Sequence, residues 1–304
     1  MMDTLQKNRL QELADNPIQW QCPLREYTSF GVGGPAEALV TVESSKELQQ
    51  LIHFFAEENI AWRVIGRGTN ILVKDSGFEG AALVLSGDFK KINVEEREHA
   101  VVIQAGAGHS LSKLSSMCLE SGYTGLEFAI GIPGSVGGAV SMNAGAWGGS
   151  IADILLELEL VTATTIENYQ HEQLQFDYRT LIIPNREVYA ITSATVVLQR
   201  KDPEEIRATC HDYLEKRRQT QPSGFGNAGS FFKNPQGDSA GRLIDLSGLK
   251  GVKVGDAEVS TKHANFIINR GRASAEDILQ LMDLVIGKVY RQTGIRLEPE
   301  VKIW

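Results

Sequence analysis

Three cysteines, Cys22, Cys118 and Cys210, are all that the 304 residues contain. They are far apart and odd in number, which supports neither a disulfide framework nor a paired zinc spacing, and reduced thiols in a cytoplasmic protein are expected. Basic charge is scarce too: 30 Lys and Arg against 38 Asp and Glu leave a net charge of −8. That balance argues against a main surface that grips nucleic acid or anionic lipid, while leaving room for a local basic pocket. No apolar run nears the roughly 20 residues of a membrane span. The first residues interleave Asp3, Lys7, Arg9 and Glu12 with apolar positions, unlike a secretory signal. The six histidines show no helical pairing and there is no cysteine cluster, so no metal site is expected. A Walker phosphate loop is missing, as is the G-x-S-x-G elbow, which leaves serine hydrolysis no foothold. Neither an internal repeat nor a low-complexity linker interrupts a length that fits two or three domains.

Glycine is what the chain has instead. Gly125 to Gly149 holds eight of the 30 glycines among small residues, with no Lys, Arg or Asp. Pro133 removes a donor, and each glycine costs an ordered helix about 1 kcal/mol, so a regular amphipathic helix is excluded. Glycines let another group approach backbone N–H donors, as a large anionic or planar ligand requires, and the stretch reads as a cofactor cradle. A small-residue turn cluster between sheets is the plainer alternative.

Several shorter stretches invite the same reading. Gly31, Gly33 and Ala36 fit the letters of the dinucleotide fingerprint, but a strand-like Ala36 to Val42 follows where a helix should open. Gly106 to Leu111 imitates it again, with Leu111 in place of the third small residue. Gly66-Arg67-Gly68-Thr69-Asn70 closes the short strand Trp62 to Ile65 and could wrap a pyrophosphate, or be an ordinary tight turn. A second glycine-rich turn, Gly224 to Gly229, leads into Ser230.

Between these lie helices near Thr4 to Ala14, from Ser44 to about Glu58, from Leu111 to Ser121 and from Asp202 to Gln219. Others follow from Asp238 or Ser239 to Gly248 and from Ser274 to Gly294. Ile151 to Val161, Val188 to Leu198, Ala264 to Ile268 and Leu297 to Ile303 read as strands, and Phe176 to Arg179 as irregular. The part beyond Lys201 is expected to form an independent α+β domain. Residue type alone leaves Ser230 between an exposed hydroxyl and a turn serine bonding its own backbone. Arg179 and Glu300 read by default as surface residues, and His263 as structural.

Taken together, these pieces resemble the UDP-N-acetylenolpyruvoylglucosamine reductase (MurB) family from about Tyr27 onward. The resemblance rests on Thr28 to Ala36, Gly66 to Asp75, Gly131 to Ala139 with Met142 to Gly145, and Tyr178-Arg179. It continues through Gly229 to Pro235, Ala240 to Ile244, and Glu298 to Val301. Order and spacing, rather than any one motif, carry it, and they displace the surface readings of Arg179 and Glu300.

The resemblance implies an α+β fold: a two-subdomain FAD-binding unit of the vanillyl-alcohol-oxidase type, residues 1–80 with the N-terminal helix and 81–201, and a C-terminal α+β substrate domain, 202–304. It implies NADPH as reductant and noncovalent FAD held by Gly66, Arg67, Gly68, Thr69 and Asn70 together with Gly131, Pro133, Gly134, Ser135, Gly137, Gly138 and Asn143. The implied substrate is the small molecule UDP-N-acetylglucosamine enolpyruvate, with no nucleic-acid or membrane partner. Ser230 matches the family's proton donor, and Arg179 and Glu300 its enolate-stabilising positions. Lys233, Asn234 and Arg217 or Arg218 are weaker candidates for carboxylate and diphosphate contacts. One family branch inserts a tyrosine-bearing loop that this chain lacks, since Tyr189 to Arg200 passes straight to Asp202. The chain looks like the shorter branch, which leaves open what closes over the nucleotide. The competing readings are a sugar or alcohol oxidase on the same FAD fold and a non-catalytic nucleotide-binding module.

Overall fold

The computed structural model describes residues 1–186 and 188–304. Seven α-helices occur among them: α1 (Thr4–Leu13), α2 (Ser45–Glu57), α3 (Leu111–Ser121), α4 (Val136–Ser141), α5 (Pro203–Thr220), α6 (Ala240–Leu246) and α7 (Ala275–Thr293). Their ends follow from capping chemistry. Ser44, Ser239 and Ser274 are N-caps whose hydroxyls accept from the N–H three residues on, and Asp277 returns the bond to Ser274. Gly122 and Gly294 end α3 and α7 in the left-handed conformation.

The chain separates into two compact units. The first takes residues 1–20, 38–66 and 80–216; the second takes 21–37, 67–79 and 217–304. In the first unit, strand Trp62–Val64 runs parallel to Phe78–Leu85. A second, larger sheet is antiparallel: Leu155–Val161 and Val101–Gly106 flank the long strand Ala190–Arg200, with Ile166–Gln170 and Ile92–Glu96 at its edges. The apolar face of α2, with Leu48, Leu51, Ile52 and Phe55, packs into one core with Val40, Leu83, Ile103 and Leu158. Each such side chain taken out of water contributes about 1.5–3 kcal/mol.

In the second unit, strand Ala257–Val259 lies between Lys253–Val254 and Ile267–Asn269. Phe231, Phe232, Leu243, Ile244, Ile278 and Leu281 form its core together with Phe30, Val32 and Leu72. The C-terminal part is thus completed by two earlier segments rather than standing alone. Strand Lys302–Ile303 pairs in parallel with Ile71–Leu72. The α+β class is as expected.

Four local readings change. Ile151–Asp153 is a 3-10 turn, because Asp153 accepts from both the N–H (2.7 Å) and the hydroxyl (3.0 Å) of Ser150 and curls the backbone there, so the strand starts at Leu155. The expected strand 264–268 is Ile267–Asn269, since the N–H of Phe266 turns back to the carbonyl of His263, 3.0 Å. The last strand shrinks to Lys302–Ile303, with Pro299 making only an isolated bridge to Phe232 because proline has no N–H for a ladder. Phe176 to Arg179 is not irregular: Gln175–Asp177 and Thr180–Ile182 form a hairpin whose two-residue loop is Tyr178-Arg179.

Candidate cofactor and substrate site

In the first unit the cradle is built from main chain. Residues 107–111 run beside 134–137: Leu111 donates to the carbonyl of Gly134 (3.1 Å), Val136 to that of His109 (2.9 Å) and Gly137 to that of Ala107 (2.9 Å). A Cβ on Gly137 would lie 2.8 Å from that of Ala107. The second imitation fingerprint finds its purpose here too, since a Cβ on Gly106 or Gly108 would meet the carbonyl of Phe89 or Leu85 at 2.2 and 2.4 Å. Those glycines make room for backbone.

The short α4 begins at Ser135, whose hydroxyl accepts from Gly138 N–H at 3.2 Å. A Cβ on Gly66 would lie 2.5 Å from the same hydroxyl, so the first residue of the 66–70 turn abuts the cradle. Gly131, Pro133 and Gly138 are exposed, while Gly134 and Ser135 are buried.

Asn143 links the cradle to Arg179. Its amide donates to the carbonyl of Asp177 (3.3 Å), at the base of the Tyr178-Arg179 loop, and its Oδ1 accepts from Ala152 N–H (3.0 Å). Asn143 is therefore engaged with backbone. Arg179 is half-buried, has φ 57° and places its guanidinium 5.3 Å from the centroid of the Tyr178 ring. A left-handed arginine costs on the order of 1 kcal/mol, which marks the loop as held in place by its surroundings.

In the second unit the remaining candidates fall on three neighbouring stretches. Gly68 has φ 60°, and a Cβ there would lie 1.9 Å from the carbonyl of Tyr27, so no other residue fits. Two residues on, the Asn70 amide donates to the carbonyl of Glu300 (3.3 Å) and the Asn70 carbonyl accepts from Lys302 N–H (3.0 Å). Glu300 N–H donates to the carbonyl of Phe231 (2.8 Å), the residue after Ser230. Asn70, Glu300 and Ser230 are thus brought into register by the main chain, and the side chains of all three are half-buried.

The weaker candidates divide. Lys233 pairs with Glu298 at 3.6 Å. Asn234 accepts from Ala240 N–H at 3.0 Å and so helps to start α6. Arg217 reaches Gln221 (3.4 Å), and the carbonyl of Arg218 accepts from the Lys262 ammonium. Arg67 is exposed and Thr69 half-buried.

Three framing residues escaped the sequence reading. The Asn265 side chain accepts from Phe232 N–H (2.9 Å) and donates to the Phe232 carbonyl (2.8 Å), while its own carbonyl takes Phe231 N–H (2.7 Å). Asn269 donates to the carbonyl of Phe30 at 2.9 Å. Two amides bracketing the apolar Phe266-Ile267-Ile268 were the available signal, because a buried amide must find backbone partners. Asp75 accepts from Ala275 and Glu276 N–H (3.0 and 2.9 Å) at the start of α7, across 200 residues of chain, and nothing local could have announced it.

His263 is structural, as expected. Its Nδ1 accepts from Asn265 N–H (3.2 Å), and burial, helped by the Lys250 charge, pulls its pKa below the usual imidazole value. The three cysteines are buried thiols outside any disulfide. Desolvation, with a contribution from Glu127, pushes Cys118 to about 12 and Cys210 to about 11.

Two family models match successive parts of the chain. An FAD binding domain model matches residues 36–165, and the model of the UDP-N-acetylenolpyruvoylglucosamine reductase C-terminal domain matches 221–304. UDP-N-acetylenolpyruvoylglucosamine reductase 2 of Symbiobacterium thermophilum is 41% identical, covering 97% of this chain and 96% of the relative. The chain belongs to the UDP-N-acetylenolpyruvoylglucosamine reductase (MurB) family.

The MurB-family enzyme of Clostridium novyi is 42% identical over 92% of this chain and 90% of its own. The crystal structure of MurB from Thermus caldophilus superposes with a TM-score of 0.81 at 37% identity, covering 95% of this chain and 98% of that one. This MurB-family chain is accordingly a flavoprotein and an oxidoreductase of peptidoglycan precursor synthesis, with FAD as its cofactor. The cradle lies in the FAD model, and Ser230 and Glu300 lie in the C-terminal one. Only Lys201 and Asp202 separate strand Ala190–Arg200 from α5, which leaves no inserted loop there. No helix among the described residues is long and apolar enough to cross a membrane.

Proposed function

We propose that this chain reduces UDP-N-acetylglucosamine enolpyruvate to UDP-N-acetylmuramate with NADPH as the electron source, in the cytoplasm. The observation that carries the reading is the register in the second unit, where backbone bonds of 3.0 and 2.8 Å tie Asn70 to Lys302 and Glu300 to Phe231. That register supports the reading because it sets the 66–70 turn, Glu300 and the residue after Ser230 on neighbouring stretches of backbone. The cradle suits a large anionic cofactor, because it lies within the stretch matched by the FAD binding domain and leaves Gly131, Pro133 and Gly138 exposed. Glycines let an anionic group come close to backbone there. We assign Gly66 to Asn70, and Gly131, Pro133, Gly134, Ser135, Gly137 and Gly138, to holding FAD, with Asn143 fixing the cradle.

FAD held by these residues would supply hydride transfer from NADPH to the enolpyruvyl methylene carbon of the substrate. Negative charge then develops beside the substrate carboxylate and needs a cation, hydrogen-bond donors and a proton. Arg179 offers the planar fork suited to a carboxylate. Ser230 delivers the proton from its hydroxyl, and Glu300 steadies the enolate. Lys233 and Arg217 or Arg218 are the cations we assign to the substrate's anionic groups, and Asn234 supports them through α6. We keep residues 1–80 and 81–201 as the cofactor part and 202–304 as the substrate part of this division of labour. Three buried thiols outside any disulfide suit a reducing compartment.

The test is a half-reaction experiment on the FAD-loaded protein. NADPH should bleach the flavin and the enolpyruvyl sugar should restore its colour. Ser230→Ala should leave bleaching intact and slow restoration by a factor on the order of 10², the usual range for a lost general acid. Reoxidation by oxygen with a simple sugar or alcohol as electron source would replace this reading by that of an oxidase, and a colourless protein would replace it by that of a binding module.

A further inference from the structure

The motif Thr28 to Ala36 is not used by the assignments above, yet one of its hydroxyls joins two of the turns they depend on. Ser29 sits in the second unit between the cofactor turn and the turn that carries Ser230. Its N–H donates to the carbonyl of Gly68 (3.0 Å), and its hydroxyl donates to the carbonyl of Asn227 at 2.6 Å, with Gly68 O at 3.1 Å. A hydroxyl has one proton, so the shorter bond to Asn227 takes it, and Gly68 is served by the backbone.

Among the described residues the Asn227 side chain bonds within the turn, donating to Phe225 O (2.9 Å) and accepting from Gly229 N–H (3.0 Å). Gly226 lies against Phe30, where a Cβ would be 2.6 Å from the Phe30 carbonyl, and its own carbonyl accepts from Asn269 N–H (2.8 Å). After the turn, Asn265 clasps Phe231 and Phe232. Ser230 is therefore suspended between an anchor at Asn265 and one at Ser29, and Gly229, with φ 75° and open space around it, is the joint between them.

We propose that Ser29 is a positioning residue for Ser230: by holding the Asn227 carbonyl it sets the direction from which the Ser230 hydroxyl meets the substrate. The proposal rests on the reading of Ser230 as proton donor. Losing one neutral hydrogen bond shifts a local equilibrium by up to about tenfold. Position counts for more than acidity in a hydroxyl donor, so this slack should appear in the proton-dependent step.

The experiment compares Ser29→Ala and Ser29→Thr with wild type and Ser230→Ala, all as FAD-loaded full-length protein. Ser29→Ala should keep wild-type FAD content and reduction by NADPH, while reoxidation by the enolpyruvyl sugar slows about tenfold, in kcat more than in KM. Hydrogen exchange over 225–231 should quicken several-fold with α7 unchanged. Ser29→Thr, which keeps the hydroxyl, should restore both. Equal losses in the two half-reactions, an impaired Ser29→Thr, or unchanged exchange with wild-type reoxidation in Ser29→Ala would each overturn the proposal. If Ser230→Ala is slow and Ser29→Ala is not, this proposal alone fails. If wild-type flavin is not reoxidised by the sugar, the reading of Ser230 fails and this one with it.

Discussion

The cradle of the first unit and the 224–229 turn of the second unit are both dense in glycine, yet Gly137 and Gly149 of the one and Gly229 of the other are needed for different reasons. At the first two the constraint is space: a Cβ would lie 2.8 Å from Ala107 Cβ at Gly137 and 2.9 Å from the Phe128 ring at Gly149. In the turn, Gly229 has nothing within 4 Å of its missing Cβ but has φ 75°. The first kind of glycine is intolerant of bulk and the other only of handedness. A glycine count cannot distinguish them, because close packing is a property of two chain segments and φ is a property of one.

The largest break in that comparison should come at Gly137→Val. Three added carbons must displace Ala107, an overpacking cost of about 1–3 kcal/mol, and the cradle should open and release FAD. The visible spectrum and a thermal melt measure both losses, and a fully yellow, undiminished variant would show that space at Gly137 is not what the cradle needs.

Arg179→Lys comes next, and it tests a strained residue that is not glycine. A lysine keeps the charge and loses the fork, so reoxidation by substrate should slow roughly 10- to 100-fold while NADPH reduction stays near wild type. Wild-type reoxidation would return Arg179 to the surface.

Gly229→Ala should do less. With open space around it, the variant meets only the penalty of a left-handed alanine, on the order of 1 kcal/mol, and should retain its FAD. Gly137→Ala should lose more stability than Gly229→Ala in the same urea titration, and the reverse order would refute the distinction between space and handedness.

The smallest effect concerns His263, held neutral in the second unit. Its folded pKa lies below the unfolded value of about 6.5, so between the two the unfolded chain binds the extra proton. Stability should therefore fall as pH drops below about 6.5. His263→Gln should flatten that part of the curve, and parallel curves for the two proteins would assign the pH dependence to other groups.

Local chemistry was legible where it was self-contained. Ser44 and Ser274 announced their helices, and Asp238 or Ser239 a third that the structure starts at Ser239, because a cap needs only a short polar side chain and the next turn. The Arg179 hairpin was missed because its closure depends on one left-handed arginine and a bond from Asn143, 34 residues away. The last strand was overextended because Glu298 to Ile303 alternates like a strand, while Pro299 limits its pairing.

The sequence by itself determined the family, the glycine-rich stretches and most helix ends, and it singled out Arg179, Ser230 and Glu300 as candidates, since all of these are written in residue types at fixed spacings. Only the tertiary structure decided that residues 21–37 and 67–79 complete the C-terminal unit, that Asp75 caps α7, and that Ser29 holds the Asn227 carbonyl. The reason is physical: each of these is a hydrogen bond or a packing contact between segments tens to hundreds of residues apart. Such a bond exists only once the entropy of closing the loop between its partners has been overcome by everything else that folds with it.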